Sequence, residues 1–134
     1  MFRKMTCRIA LAAAALTSVA LPVAAVMPPE GDRVDLAYYD SIQRTGMDQL
    51  PTDPYCANPE MLAADLGETY GEDRMLTATR DNGRQFEVWA SDSAGTWTVS
   101  YTRPDGIACV IGSGIGWDSG DNATARLQEV GLSL

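Results

Sequence analysis

Gln85-Phe86-Glu87-Val88-Trp89-Ala90-Ser91, Asp92-Ser93-Ala94-Gly95 and Thr96-Trp97-Thr98-Val99-Ser100-Tyr101-Thr102 follow one another without a break. Two β-branched and aromatic runs enclose a short cluster of turn formers, which predicts an antiparallel hairpin. The same pattern continues outward on both sides. Met75–Arg80 precedes it across Asp81-Asn82-Gly83, and Ile107–Gly112 follows it across Pro104-Asp105-Gly106. The expectation is a four-stranded antiparallel meander.

Turn chemistry predicts which side chains share a face. A three-residue loop at Pro104–Gly106, with Gly106 left-handed, pairs Tyr101 with Cys109 and Val99 with Ile111. A three-residue loop at Asp81–Gly83 pairs Ala78 with Phe86 and Leu76 with Val88. A four-residue loop at Asp92–Gly95 pairs Ala90 with Trp97 and Val88 with Val99. All three agree on one apolar face: Leu76, Ala78, Phe86, Val88, Ala90, Trp97, Val99, Tyr101, Cys109 and Ile111. A one-residue slip would split this set between faces. The opposite face carries Thr77, Thr79, Glu87, Trp89, Ser91, Thr96, Thr98, Ser100 and Thr102, with Ala108 and Val110. It is polar except for Trp89 and the last strand.

Upstream, Asn58-Pro59-Glu60 supplies an N-cap, a first-turn proline and an acid at the positive end of a helix dipole. Leu62, Leu66 and Tyr70 form a stripe, and Gly71 ends the helix as a left-handed cap. This helix is expected to cross the apolar face, with Cys56 at its start facing Cys109. Asp35–Gln43 reads as a short helix with Leu36, Tyr39 and Ile42 on one side. Ala123–Val130 reads as another, capped by Asp121 or Asn122 and ended by Gly131. The fold class expected is α+β, one helix packed on a four-stranded antiparallel β-meander with one disulfide.

The N-terminus carries the pattern of an export signal. Arg3, Lys4 and Arg8 precede a 13-residue apolar run, Ile9–Leu21, and Pro22-Val23-Ala24-Ala25 closes the segment with small or β-branched residues at the two positions a signal peptidase reads. The run falls short of the roughly 20 residues of a membrane span. Residues 1–25 are thus expected to be a signal peptide, residues 26–55 a partly ordered arm, residues 56–117 the core domain, and residues 118–134 a tail with a short helix. The protein is expected in the periplasm or outside the cell, without a membrane span after cleavage. Removing the segment leaves 134 − 25 = 109 residues and takes away three positive charges, so the charge moves from −8 to −8 − 3 = −11. That surface repels nucleic acid and anionic lipid, and it suits a basic envelope protein as a partner. Oligomeric state is not legible.

Cys7 leaves with the signal, so Cys56 and Cys109 are the two cysteines of the mature chain. In an exported domain they are expected to form one disulfide. Their spacing is far from the C-x-x-C of a redox pair.

There is no histidine in the chain. That excludes Ser-His-Asp and Cys-His nucleophile systems and removes the commonest metal ligand. Gly112-Ser113-Gly114-Ile115-Gly116 matches neither G-x-S-x-G nor a dinucleotide-binding fingerprint, and reads as a strand exit from which Trp117 folds back. Asp118, Asp121 and Asn122 lack the spacing of a calcium loop and read as turn and cap residues. No cofactor or metal site and no catalytic residue is expected. Glu68, Glu72 and Glu87 are the acids through which a carboxylate-based hydrolase would have to work. Trp89 is the best pointer to function, an aromatic among threonines with Glu87 and Thr98 beside it. Trp89, Glu87, Thr98 and Trp117 form the candidate binding surface.

Cys56, Tyr70-Gly71-Glu72, Glu87-Val88-Trp89-Ala90-Ser91, Gly95-Thr96-Trp97-Thr98, Pro104-Asp105-Gly106, Cys109 and Ser113-Gly114-Ile115-Gly116-Trp117 occur in that order. In this the chain resembles a family of small exported alphaproteobacterial proteins with two paired cysteines and a G-T-W-T strand motif. The resemblance covers Cys56 to Trp117. It implies export and the cysteine pairing, and it implies no activity. In size, charge and compartment the domain is also similar to periplasmic lysozyme inhibitors, although it lacks the Ser-Gly-x-x-Tyr motif of one such group. The expected role is a non-enzymatic protein-binding or accessory module. The alternatives are an inhibitor of a basic hydrolase such as lysozyme, and a carboxylate-based cell-envelope hydrolase.

Overall fold

The two hairpin runs form the centre of a five-stranded antiparallel sheet in a computed structural model that describes residues 32–80 and 82–133. The segment expected to be a signal peptide lies outside the described residues. In chain order the strands are β1 (Cys56–Ala57), β2 (Asp73–Thr79), β3 (Gln85–Ser91), β4 (Thr96–Thr102) and β5 (Ala108–Ile115). Their order across the sheet is β1-β5-β4-β3-β2. The helices are α1 (Leu36–Asp40), α2 (Pro59–Tyr70) and α3 (Ala123–Glu129), with a 3-10 turn at Gly46–Asp48. Among the described residues no helix is long and apolar enough to cross a membrane.

The expected architecture needs correction: three helices, not one, pack on five strands, not four. The fifth strand, β1, is two residues long, too short for any periodicity to show. It exists because Cys56 lies directly across from Cys109, with Cα atoms 4.0 Å apart, and the disulfide joins them. Closing a loop over 53 positions stabilises the fold by roughly 4 kcal/mol in the chain-entropy picture.

The turns behave as their residues dictate. Gly83, Gly95 and Gly106 all take positive φ, which only glycine adopts freely. Leu76 faces Val88, Ala78 faces Phe86, Val88 faces Val99, Ala90 faces Trp97 and Tyr101 faces Cys109. One expected pair is wrong. Val99 faces Gly112 rather than Ile111, because a bulge in β5 inserts a residue between Val110 and Gly112. The strand then runs on to Ile115, so Gly112-Ser113-Gly114 is paired strand rather than a loose exit.

Packing explains those glycines. Gly114 lies under the indole of Trp97, and a Cβ there would sit 2.8 Å from Trp97 Cζ2. At Gly112 a Cβ would run into Val130 Cγ1. Both positions are flat because large side chains lie across them.

The expected apolar face is the main core: Phe86, Val88, Ala90, Trp97, Val99 and Tyr101 are buried with Leu36, Trp117, Leu127 and Leu132. Its cover is the second correction. α1, α3 and the segment after α3 lie on this face, and α2 does not. α2 packs Leu62 and Leu66 on the opposite face, against Trp89, Ala108 and Val110.

Topology accounts for that choice. β1 and β2 run parallel at opposite edges, so α2 is the crossover between them. Parallel crossovers are almost always right-handed. Given the register and the side on which Cys56 and Cys109 point, the right-handed path puts α2 over Trp89.

α2 is capped as its sequence dictates. Asn58 Oδ1 accepts from Met61 N at 2.8 Å, and Gly71 ends the helix at φ 64°. α3 is capped by Asn122, whose Oδ1 accepts from Thr124 N at 3.0 Å. Asp121 accepts from Asp118 N in the turn and pairs with Arg126.

Candidate functional site

The four residues expected to form a binding surface do not come together. Trp89 is 6% exposed and lies under α2, with the Arg74 guanidinium 5.0 Å from its ring. Glu87 pairs with Arg74 at 3.5 Å. Thr98 is buried opposite Trp89. Trp117 is on the other side of the sheet, buried in the main core and donating from Nε1 to Asp92 Oδ1 at 2.8 Å. A partner could reach Trp89 only by lifting α2.

A cleft of about 780 Å³ lies between α2 and β5, and its lining takes in Tyr39, Trp97 and Ile111 from the other face as well. α2 contributes Asp65, Leu66, Thr69 and Tyr70 to its wall. Thr96 and Thr98 form its floor, Ser113 and Ile115 its far side, and Pro54 and Tyr55 its end. Two large apolar side chains stand open at it: Tyr70 is 55% and Ile115 85% exposed. Tyr70, expected in the buried stripe of α2, instead faces outward.

Glu72 lies at the base, with only 3% of its surface exposed. The backbone sets it there. Gly71 turns left-handed, Glu72 N donates back to Leu66 O at 3.0 Å, and the chain enters β2 at Asp73. The residue just past a left-handed cap normally makes an apolar contact with the last helical turn. A carboxyl at that position is the one sequence signal that could have pointed to this cleft.

Burial pushes the Glu72 carboxyl above its ordinary value of 4.5, and hydrogen bonding from the Thr98 hydroxyl, then from that of Thr96 as it turns toward the carboxyl, pulls it part of the way back. Glu72 Oε2 and Thr96 Oγ1 are buried without a hydrogen-bond partner among the described residues. Asp65 accepts a short hydrogen bond from the Tyr55 hydroxyl. Burial, then that bond and the Asp65 charge, push Tyr55 up to about 12. The cleft thus presents an apolar rim, four serine or threonine hydroxyls, three tyrosines and two carboxyls, and no arginine among the described residues lines it. Such a site suits a ligand that offers both apolar surface and hydrogen-bond donors.

Among the described residues no group of three or more His, Cys, Asp or Glu side chains is placed to hold a metal ion. No protein-family model, no curated protein and no solved structure matches the chain.

Proposed function

We propose that the chain is a small exported, non-enzymatic binding module whose binding element is the cleft between α2 and β5. The observation that carries the proposal is a buried carboxyl, Glu72, one oxygen of which has no hydrogen-bond partner among the described residues, in a cleft that Tyr70 and Ile115 line with exposed apolar surface. A buried acceptor without a donor is costly, and a ligand that supplies the donor removes that cost. Tyr70 and Ile115 offer the apolar contact area that partner anchors use. The signal-like N-terminus and the cysteine pair support an oxidising compartment outside the cytoplasm.

The test is a photo-crosslinking amino acid placed at Ile115, with the exposed hairpin position Asn82 as control. Both variants are exported in living cells and irradiated. One discrete adduct from position 115, absent from position 82, is the expected result. Equal patterns from both positions, or none, would sink the cleft as the binding element. A basic hydrolase as the captured species would favour the inhibitor form of the proposal.

One observation favours a second reading, a carboxylate-based envelope hydrolase. Glu72, with its raised pKa, and Asp65 line the same cleft, and two acids in unlike environments are what acid–base hydrolysis requires. It predicts turnover of a cell-wall or glycan substrate that Glu72→Gln abolishes. Activity unchanged in that variant removes it.

A further inference from the structure

The two outer edges of the sheet are built differently. β2 carries Asp73 and Arg74 at its start and is bulged between Arg74 and Leu76. Charges and bulges are the usual guards against further strand pairing. β5 has its bulge at Ile111, and beyond it, from Gly112 to Ile115, the strand carries neither guard. Its last four residues are Gly112-Ser113-Gly114-Ile115, with no charge and no proline.

β1 covers only the beginning of that edge. It pairs with Ala108 and Cys109, and the last bond runs from Val110 N to Tyr55 O at 2.8 Å. Pro54 comes next, and proline has no N–H with which to continue the ladder. From Gly112 to Ile115 the strand pairs with β4 on one side and, among the described residues, with nothing on the other. The open edge lies along the cleft.

We propose that this edge takes up an extended basic segment of a partner protein as an added strand. It would continue the line of β1 along Gly112–Ile115 and pass one arginine or lysine side chain into the cleft toward Glu72. The proposal rests on the cleft being the binding element and names what fills it. Three observations converge on such an occupant. The backbone offers unpaired ladder groups, which an extended chain satisfies and a compact ligand does not. Side chains of a strand alternate, so every second one enters the cleft, where Asp65 and the unpartnered Glu72 oxygen lie with no base beside them. The chain as a whole carries −8, so a second copy of itself is repelled and a basic segment is attracted.

The probe is a capped seven-residue peptide alternating arginine and valine, titrated into the oxidised mature protein. Amide hydrogen exchange is read residue by residue by NMR. Exchange should slow at least about 10-fold between Gly112 and Ile115, because ladder bonds replace water there. A peptide with glutamine for arginine should bind about 10-fold or more weaker, as should the arginine peptide to Glu72→Gln. A peptide N-methylated at alternate residues should not bind. The glutamine peptide reads the charge contact on the unaltered protein, so misfolding of the variant would not hide the answer. Protection confined to other strands, or equal affinity for arginine and glutamine peptides, overturns the proposal. So does a protein dimer in sedimentation equilibrium that itself protects Gly112–Ile115. Failure of the peptide with the crosslink at position 115 retained removes the added strand and leaves the cleft standing. Loss of both removes both.

Discussion

The two faces of the sheet solve the same problem in different ways. The face under α1 and α3 is built from Phe86, Val88, Ala90, Trp97, Val99 and Tyr101, and everything on it is there to exclude water. The face under α2 buries Trp89 but also Ser91, Thr98, Ser100 and Glu72. On the first face, polar atoms that reach the core are mostly paired at its margins. Tyr101 donates to Asp40 Oδ1 at 2.9 Å, and Arg80 holds Asp32 at 2.5 Å. The first face's unpartnered buried atoms, among the described residues, are the nitrogens Trp97 Nε1 and Arg126 Nε, whereas on the second face three oxygens, Glu72 Oε2, Thr96 Oγ1 and Ser100 Oγ, are left so together with Trp89 Nε1. A face that carries unsatisfied polar groups sacrifices stability, and such sites are the ones that favour a ligand.

The comparison breaks most easily at Trp89. If both faces are core, Trp89→Ala and Phe86→Ala should each lose about 3–5 kcal/mol in urea unfolding. A loss near zero for Trp89→Ala would mean that α2 does not cover it and that the face is open. Next in size is the disulfide that ties β1 to β5. Cys56→Ala with Cys109→Ala should cost roughly 2–4 kcal/mol, read by the same unfolding under oxidising conditions. A third substitution tests how tightly the first face is closed. Gly112→Ala should cost about 1–3 kcal/mol by driving a methyl into Val130, and Val130→Ala on top of it should recover part of the loss. Simple additivity of the two would show that they do not meet.

The smallest effect is the most diagnostic of the second face. Glu72 holds its proton to higher pH in the folded chain than in the unfolded one. Stability therefore falls as pH rises from about 4.5 through the raised folded value, and is restored on going back to acid. Glu72→Gln should remove that fall. The variant should match the natural chain near pH 4 and exceed it by about 1 kcal/mol at pH 7. Greater stability at pH 4 than at pH 7 in the natural chain alone is the signature. The same difference in both proteins would place the cause elsewhere.

How far the two faces could be read in advance differs for a physical reason. The first face was legible because turn residues fix register and a two-residue period then assigns every side chain. Gly83, Gly95 and Gly106 with their neighbours were enough to group Leu76 through Tyr101 correctly. The bulge beyond Val110 escaped, since nothing in Ile111-Gly112 distinguishes an inserted residue from a regular one. The second face was read by composition. Threonines around one tryptophan suggested an open surface, and an open surface made Trp89 the anchor. Composition carries no information about cover, and α2 supplied the cover.

Sequence alone thus determined most elements of this protein: the three hairpin turns, the caps of α2 at Asn58 and Gly71, the cap of α3 to within Asp121 or Asn122, the core side chains of one face, and the pairing of Cys56 with Cys109. All but the disulfide depend on residues close together in the chain or on a period that they repeat, and the disulfide follows because Cys56 and Cys109 are the two cysteines beyond the N-terminal segment. Only the tertiary structure decided where α2 lies, that Glu72 is buried, and that among the described residues β5 keeps a bare edge along a cleft. The first two follow from the hand of a crossover between the two ends of the sheet, a global choice that no single stretch of residues encodes, and the third from where that crossover's first strand, stopped at Pro54, meets β5.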